Sequence, residues 1–126
     1  MAHTFGHIHI KAKDPRKTAQ WYVDMFGARP LGERDVRGAL FVPVELSGVT
    51  VNISNARPGE VMGEGDAGLH YGLEHIAINT DDLDADLARF KEQGLQIFET
   101  GETATTRMAF VEGPDNVRIE LMQALS

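Results

Sequence analysis

The chain of 126 residues contains no cysteine. Disulfides, thiolate zinc sites, iron–sulfur clusters and cysteine nucleophiles are therefore excluded together. Any bound metal must take nitrogen and oxygen ligands, which the five histidines and the 19 Asp and Glu residues can supply.

Long hydrophobic runs are also missing, and the 12 Lys and Arg residues are outnumbered by the 19 Asp and Glu residues. No stretch approaches the roughly 20 apolar residues of a membrane span, and the N-terminal MAHTFGHIHIK lacks the apolar segment of a signal peptide. The net charge of −7 disfavours nucleic acid and anionic membranes as partners. We expect neither partner, and a cytoplasmic location.

The first half of the chain predicts a strand, a helix and two further strands. Apolar and polar residues alternate in strand fashion at 6–12, 38–46 and 49–54. After the first strand, Asp14 predicts a helix cap, Pro15 suits the first helical position and Gly27 ends the helix. Ser47-Gly48 predicts a hairpin turn between the last two strands.

Residues 55–74 contain five glycines and show no periodicity. Such a segment predicts a linker or a lid over an active site. The first pattern then recurs: a strand begins at His75, Asp81 or Asp82 caps a helix, and Gly94 ends it. Further strands are predicted near 95–99, 106–112 and 117–123.

The two halves are related by a constant offset. His7 aligns with His75 (75 − 7 = 68), and Asn52 aligns with Glu120 (120 − 52 = 68). Further matches include Asp14 with Asp82 and Tyr22 with Phe90. Chance matches between apolar residues are the alternative, but the matching caps and aromatic positions favour two βαβββ modules and an α+β fold.

If the first and last strands of each module pair, His7, Asn52, His75 and Glu120 can face one cavity. Two neutral imidazoles and a carboxylate suit Zn²⁺, Fe²⁺, Mn²⁺, Co²⁺ or Ni²⁺ and leave coordination positions open. A single histidine in a strand is more often a surface or core residue, and by alternation Glu120 could face solvent beside Arg118. The repeat favours the metal site.

Four further residues have two interpretations each. His9 shares a strand face with His7 and could be a general acid or base or a structural histidine. His70 and Tyr71 could close over a substrate or be ordinary loop residues. Arg107 could bind an anionic group or form a surface ion pair.

Three stretches, HIHIKAKDPRKTAQWYVDMFG, EHIAINTDDLDADLARFKEQG and MAFVEGPDNVRIELMQ, resemble the vicinal oxygen chelate superfamily of glyoxalases, extradiol dioxygenases and bleomycin-resistance proteins. The resemblance implies two tandem βαβββ modules that form a curved mixed sheet around a metal cavity. It implies a single glyoxalase-like domain over 1–126, with modules at about 5–55 and 74–124 and a linker at about 56–73. It also implies a homodimer.

The resemblance assigns the metal ligands to His7, His75 and Glu120, and the cofactor to a divalent Zn, Ni, Co, Mn or Fe. A fourth ligand in the superfamily is often Glu or Gln, where this chain has Asn52. Because Asn is shorter, we expect it to contact a metal-bound water or the substrate instead.

The implied function is a metal-dependent lyase or isomerase of the glyoxalase type, acting on a small substrate with vicinal oxygens. Glu120 or His9 would act as the catalytic base, and Asn52, His70, Tyr71 and Arg107 would contact the substrate. One alternative is a non-haem Fe(II) extradiol-type dioxygenase, for which two His and a carboxylate also suffice. Another is a protein that binds a drug or metabolite, as in bleomycin resistance.

Overall fold

The computed structural model describes residues 2–125. They divide into two compact units, one up to Gly63 and the other from Glu64. The boundary falls inside the glycine-rich segment, and residues 55–75 contain no helix or strand. Within residues 2–125, no helix is long and apolar enough to cross a bilayer.

Each unit carries one helix and its own mixed sheet. The elements of the first unit are β1 (Ile8–Lys11), α1 (Pro15–Phe26), β2 (Arg29–Pro30), β3 (Arg34–Val36), β4 (Ala39–Phe41), β5 (Val44–Leu46) and β6 (Val49–Ser54). Those of the second are β7 (Ile76–Asn79), α2 (Leu83–Glu92), β8 (Ile97–Glu102), β9 (Thr106–Gly113) and β10 (Val117–Ala124), with a 3₁₀ turn over Pro114–Asn116. The α+β class is confirmed, and the second unit has the order βαβββ.

The strand predicted over 38–46 is divided in two at Val42-Pro43. Pro43 has no amide hydrogen for the sheet, whereas the N–H of Val42 still donates to the carbonyl of Ile53 at 2.7 Å. The two short strands β4 and β5 both pair with β6. On its other side β4 pairs with β3, and β5 pairs with β2. Sequence periodicity missed β2 and β3 because each has only two or three residues.

The 68-residue repeat reappears in the strand register. In the first sheet β1 runs parallel to β6, with Ile8 opposite Val51. In the second sheet β7 runs parallel to β10, with Ile76 opposite Ile119. Both offsets are again 68, since 76 − 8 = 68 and 119 − 51 = 68. The predicted pairing of the first and last strands of each half is therefore confirmed.

The helix caps also repeat. Oδ1 of Asp14 accepts a hydrogen bond from the backbone amide three residues on at 3.2 Å, and Oδ1 of Asp82 does the same at 3.0 Å. Asp82, rather than Asp81, is therefore the cap of α2. Gly27 ends α1 as predicted, with a φ of 68°, a left-handed value that glycine adopts without steric cost.

Each helix buries an aromatic side chain against its own sheet. Tyr22 of α1 and Phe90 of α2 are both 0% exposed. On β10, Ile119 and Leu121 are fully buried, and the neighbouring Gln123 accepts a hydrogen bond from the first amide of α2. Odd-numbered residues of β10 thus face the helix, and the even-numbered residues lie on the opposite face of the sheet.

Candidate metal centre

The register of the second sheet brings a histidine and a glutamate together. Ala77 of β7 lies opposite Glu120 of β10, and His75 precedes the first residue of β7. Residues opposite each other on parallel strands point to the same side, and residues two apart share a face. Ala77 and Glu120 therefore lie together on the face that turns away from α2, and the side chain of His75 meets Glu120 there.

The side chains of His75 and Glu120 are in direct contact. Nε2 of His75 lies 3.2 Å from Oε1 of Glu120, and the two side chains are 32% and 12% exposed. Bonds of about 2.0–2.2 Å from Zn²⁺ to nitrogen and oxygen place two neighbouring ligand atoms roughly 3.0–3.5 Å apart. The observed separation therefore fits two ligands of one divalent ion, and it also fits a hydrogen bond from an Nε2–H group.

Two other residues hold the imidazole of His75. Its Nδ1 lies 3.0 Å from Oε1 of Glu74, and its ring packs edge-on against Phe110, with 5.1 Å between the ring centroids. Sequence analysis did not select Glu74. Strict alternation would place residue 74 on the other face from His75, but both residues precede β7 and are not bound by its alternation.

In the first unit, His9 shares a short hydrogen bond with a buried hydroxyl. Its Nε2 lies 2.7 Å from Oγ of Ser54, which is fully buried. His9 is exposed as a whole residue, but partial desolvation of its ring lowers its pKa below the ordinary value of 6.5. The charges of Lys11 and His7 lower this pKa further, against the opposite effect of Glu60. The environment therefore favours the neutral imidazole, which can accept or donate a proton.

Asn52 occupies the place in the first sheet that Glu120 occupies in the second. It lies opposite His9 and is only 6% exposed. Its Oδ1 has no hydrogen-bond partner among residues 2–125, which is rare for a buried polar atom. His7 precedes β1 and is exposed, with 6.4 Å between its ring centroid and that of His9.

The proposed ligands come from both units: His7 belongs to the first, and His75 and Glu120 belong to the second. Of these ligands, the contact between His75 and Glu120 lies within one unit. Over the described residues, neither unit by itself gathers three or more His, Asp or Glu side chains into a group that could hold a metal ion. The complete three-ligand site therefore stays a prediction.

The predicted substrate contacts have local partners. His70 donates from Nδ1 to the carbonyl of Tyr71 at 2.8 Å, and both residues are exposed. Arg107 lies 3.0 Å from Oδ1 of Asp84 and 3.8 Å from Oε1 of Glu102, which is the surface ion pair considered as the alternative. A substrate role for any of the three stays a prediction.

Arg118, which the sequence analysis did not select, lies beside Glu74, with 3.8 Å between its Nε and Oε1 of that residue. It lies on the same face of β10 as Glu120 but is 4% exposed. Its guanidinium carbon lies 4.9 Å and 4.7 Å from the ring centroids of Phe98 and Phe110, and Nη2 donates to Glu99 at 3.2 Å. Alternation identified the face, but it does not show whether other side chains cover that face.

Comparison with protein families gives a match over residues 4–121 to the model of the Glyoxalase/Bleomycin resistance protein/Dioxygenase superfamily. Among curated proteins, the chain is 30% identical over 125 residues to the "Probable lactoylglutathione lyase" of Synechocystis sp., covering 95% of each chain.

Two solved structures are similar to the whole chain. The glyoxalase family protein APC24694 from Bacillus cereus has a TM-score of 0.85 at 13% identity, covering 100% of this chain and 99% of that one. A mutant of the fosfomycin resistance protein FosX from Listeria monocytogenes, complexed with Mn(II) and 1S,2S-dihydroxypropylphosphonic acid, has a TM-score of 0.76 at 20% identity, covering 99% and 95%. At these identities the two structures establish the fold alone.

Proposed function

The chain belongs to the Glyoxalase/Bleomycin resistance protein/Dioxygenase superfamily, and from this membership we propose that it is a metal-dependent lyase or isomerase of the glyoxalase type. Its substrate would be a small molecule with two neighbouring oxygen atoms. The name of the Synechocystis relative supports the lyase reaction, and the Mn(II) in the FosX complex supports a divalent cofactor.

The separation of 3.2 Å between Nε2 of His75 and Oε1 of Glu120 carries this proposal. Together with His7, these residues would supply two nitrogen ligands and one oxygen ligand, a set that suits Zn²⁺ and the neighbouring transition metals. Asn52 would contribute its buried Oδ1, which lacks a partner among residues 2–125, as an acceptor for a bound water or a substrate hydroxyl.

When bound, the ion supplies Lewis-acid stabilisation of negative charge on a substrate oxygen. The proton is moved by this chain's own groups, and Glu120 and His9 are the two candidates. A base in position contributes about 10²–10⁴-fold to the rate. His9 suits the role because its environment lowers its pKa and so favours the form that accepts a proton.

The remaining predicted contacts would bind the substrate outside the metal centre. Tyr71 and His70 are exposed in the glycine-rich segment and could cover a bound molecule. Arg107 would release Asp84, its ion-pair partner, and bind an anionic group of the substrate instead. Such a pair is held weakly because it is open to solvent.

Metal content and turnover test the proposal together. Wild-type protein purified without added metal, the metal-stripped protein and the His75→Ala variant are assayed with lactoylglutathione and with other small vicinal-oxygen substrates. We expect stoichiometric metal and turnover in the wild type, with loss of both in the variant. His70→Ala, which changes another histidine of the same unit, should retain its metal. Equal metal occupancy in wild type and His75→Ala would disprove the proposed site.

The same superfamily includes two other activities, which need separate assays. A dioxygenase would consume oxygen with catechol-like substrates when loaded with Fe²⁺. A drug- or metabolite-binding protein would bind its ligand tightly without metal and without turnover. The chain carries His7, His75 and Glu120, and this set of ligand types favours an enzyme over a binding protein.

A further inference from the structure

Glu74 and Arg118 lie outside the proposed ligand set, but Glu74 contacts the ligand His75 and Arg118 contacts Glu74. Oε1 of Glu74 lies 3.0 Å from Nδ1 of His75, on the side of the ring opposite to Glu120. Nε of Arg118 lies 3.8 Å from the same carboxylate oxygen. The four side chains therefore form a series, from Arg118 through Glu74 and His75 to Glu120.

The guanidinium of Arg118 is held in place by two hydrogen bonds and by aromatic packing. Nη1 donates to the carbonyl of Ala67 at 3.0 Å and Nη2 to Glu99 at 3.2 Å, while Phe98 and Phe110 lie against the guanidinium. Nε is buried and makes no hydrogen bond within residues 2–125. The guanidinium of Arg118 is therefore a fixed positive group beside Glu74.

The proton position on His75 decides what Nε2 can do. A neutral imidazole carries one proton, and a carboxylate at Nδ1 accepts it there. Nε2 then presents a lone pair to the carboxylate of Glu120 at 3.2 Å. Two electron-rich atoms so close repel each other unless a cation lies between them, and this is the arrangement that two metal ligands require.

We infer that Glu74, held by Arg118, is a positioning residue that keeps the proton of His75 on Nδ1 and so directs Nε2 towards the metal; this rests on the proposed function. Carboxylates that accept a hydrogen bond from a metal-ligating histidine fix its tautomer and orientation, and their loss typically weakens metal binding about 10–100-fold.

The test compares two carboxylates that face the same arginine. Glu74→Gln removes the charge beside His75, whereas Glu99→Gln removes a charge that contacts Arg118 without an observed contact to His75. Zinc affinity is measured on the metal-stripped proteins by competition with a chelator. We expect binding to weaken about 10–100-fold in Glu74→Gln and to stay unchanged in Glu99→Gln. Unchanged binding in Glu74→Gln, or equal losses in both variants, overturns the inference.

A second measurement needs neither metal nor activity. The ring nitrogens of His75 are observed by ¹⁵N NMR in metal-free Glu120→Ala, which removes the competing acceptor, at a pH where the ring is neutral. We expect the ring proton of His75 on Nδ1 in Glu120→Ala, and a larger population of the tautomer with the proton on Nε2 in the E74Q/E120A double variant. A proton on Nε2 in Glu120→Ala, or no shift in the double variant, overturns the inference. If the wild type binds no zinc, the proposed function fails, and this measurement alone decides the role of Glu74.

Discussion

Nε2 of His75 and Oε1 of Glu120 lie 3.2 Å apart, although the two residues are 45 positions apart in the chain. The first prediction concerns this pair. Glu120→Gln keeps the shape of the side chain but replaces an anionic ligand by a weaker amide oxygen. Loss of a group that only hydrogen-bonds a metal ligand typically weakens metal binding roughly 10–100-fold. We expect the zinc affinity of Glu120→Gln to fall by more than this.

Chelator competition on the metal-stripped proteins measures this change. Glu92→Gln, at the exposed end of α2, is the matched control and should bind zinc as the wild type does. Equal affinity in Glu120→Gln and wild type would show that Glu120 is not a ligand.

The second prediction concerns the cap of α2. Asp82→Ala removes the acceptor for the amide of Ala85 and should lower the free energy of unfolding by about 0.5–2 kcal/mol. Urea denaturation measures the loss. Asp81→Ala, one residue earlier and exposed, is the control and should change stability by less than about 0.5 kcal/mol. A larger loss in Asp81→Ala than in Asp82→Ala would contradict the cap assignment.

The third prediction concerns the aromatic residue that each helix buries. Phe90 is 0% exposed, and Phe90→Ala should lower the free energy of unfolding by about 3–5 kcal/mol because it removes buried apolar surface and leaves a cavity. Phe5 is 76% exposed, so Phe5→Ala should have an effect within about 0.5 kcal/mol. Chemical denaturation of both variants checks the difference, and similar losses would be inconsistent with the core described above.

The fourth prediction concerns acid stability in the first unit. Hydrogen bonds from Lys11, and then from the backbone and side chain of Arg57, lower the pKa of Glu60 from 4.5 to about 2. The folded state therefore binds fewer protons than the unfolded state between these values. The stabilisation is complete above about pH 4.5 and is lost as the pH falls towards about 2.

Thermal melts at about pH 7 and about pH 3 test this linkage. The difference in Tm between wild type and Glu60→Gln should be smaller at the lower pH, because the wild type has then begun to lose the contact. Lys11→Met should behave in the same way, and the double variant should lose less than the sum of the single variants, since they share one ion pair. A difference in Tm that does not depend on pH would count against the lowered pKa of Glu60.

Most of the fold could be predicted from the sequence because its signals are local or repeated. The caps Asp14 and Asp82 and the turn at Ser47-Gly48 each depend on a few adjacent residues. The constant 68-residue offset predicted two copies of one module, and the expected pairing of the first and last strands of each copy is confirmed by β1 with β6 and β7 with β10, whose parallel orientation comes from the structure. The division of the strand at Pro43 and the short strands β2 and β3 were missed, since two or three residues show no measurable periodicity.

The candidate site was predictable only in part. The repeat selected His75 and Glu120, which the second sheet brings into contact. It could not select Glu74 or Arg118, because their importance depends on which side chains they meet. The repeat gave no signal at these two positions. In the first half, Gly6 stands where the second half has Glu74 (74 − 68 = 6), and Thr50 stands where it has Arg118 (118 − 68 = 50).

The sequence by itself determined the repeat of two similar halves, the approximate positions of the two helices and the residue types available to a metal, because spacing and capping chemistry are local properties of the chain. The exact limits of α2 came from the structure, which caps it with Asp82 and ends it at Glu92. Tertiary structure decided how those residues are held: it buried Arg118 against two phenylalanine rings, set Glu74 against His75 and left Oδ1 of Asn52 buried without a partner among residues 2–125. The physical reason is that burial and hydrogen bonding depend on distances across the sheet. Alternation along a strand specifies a face, but it does not specify what covers that face.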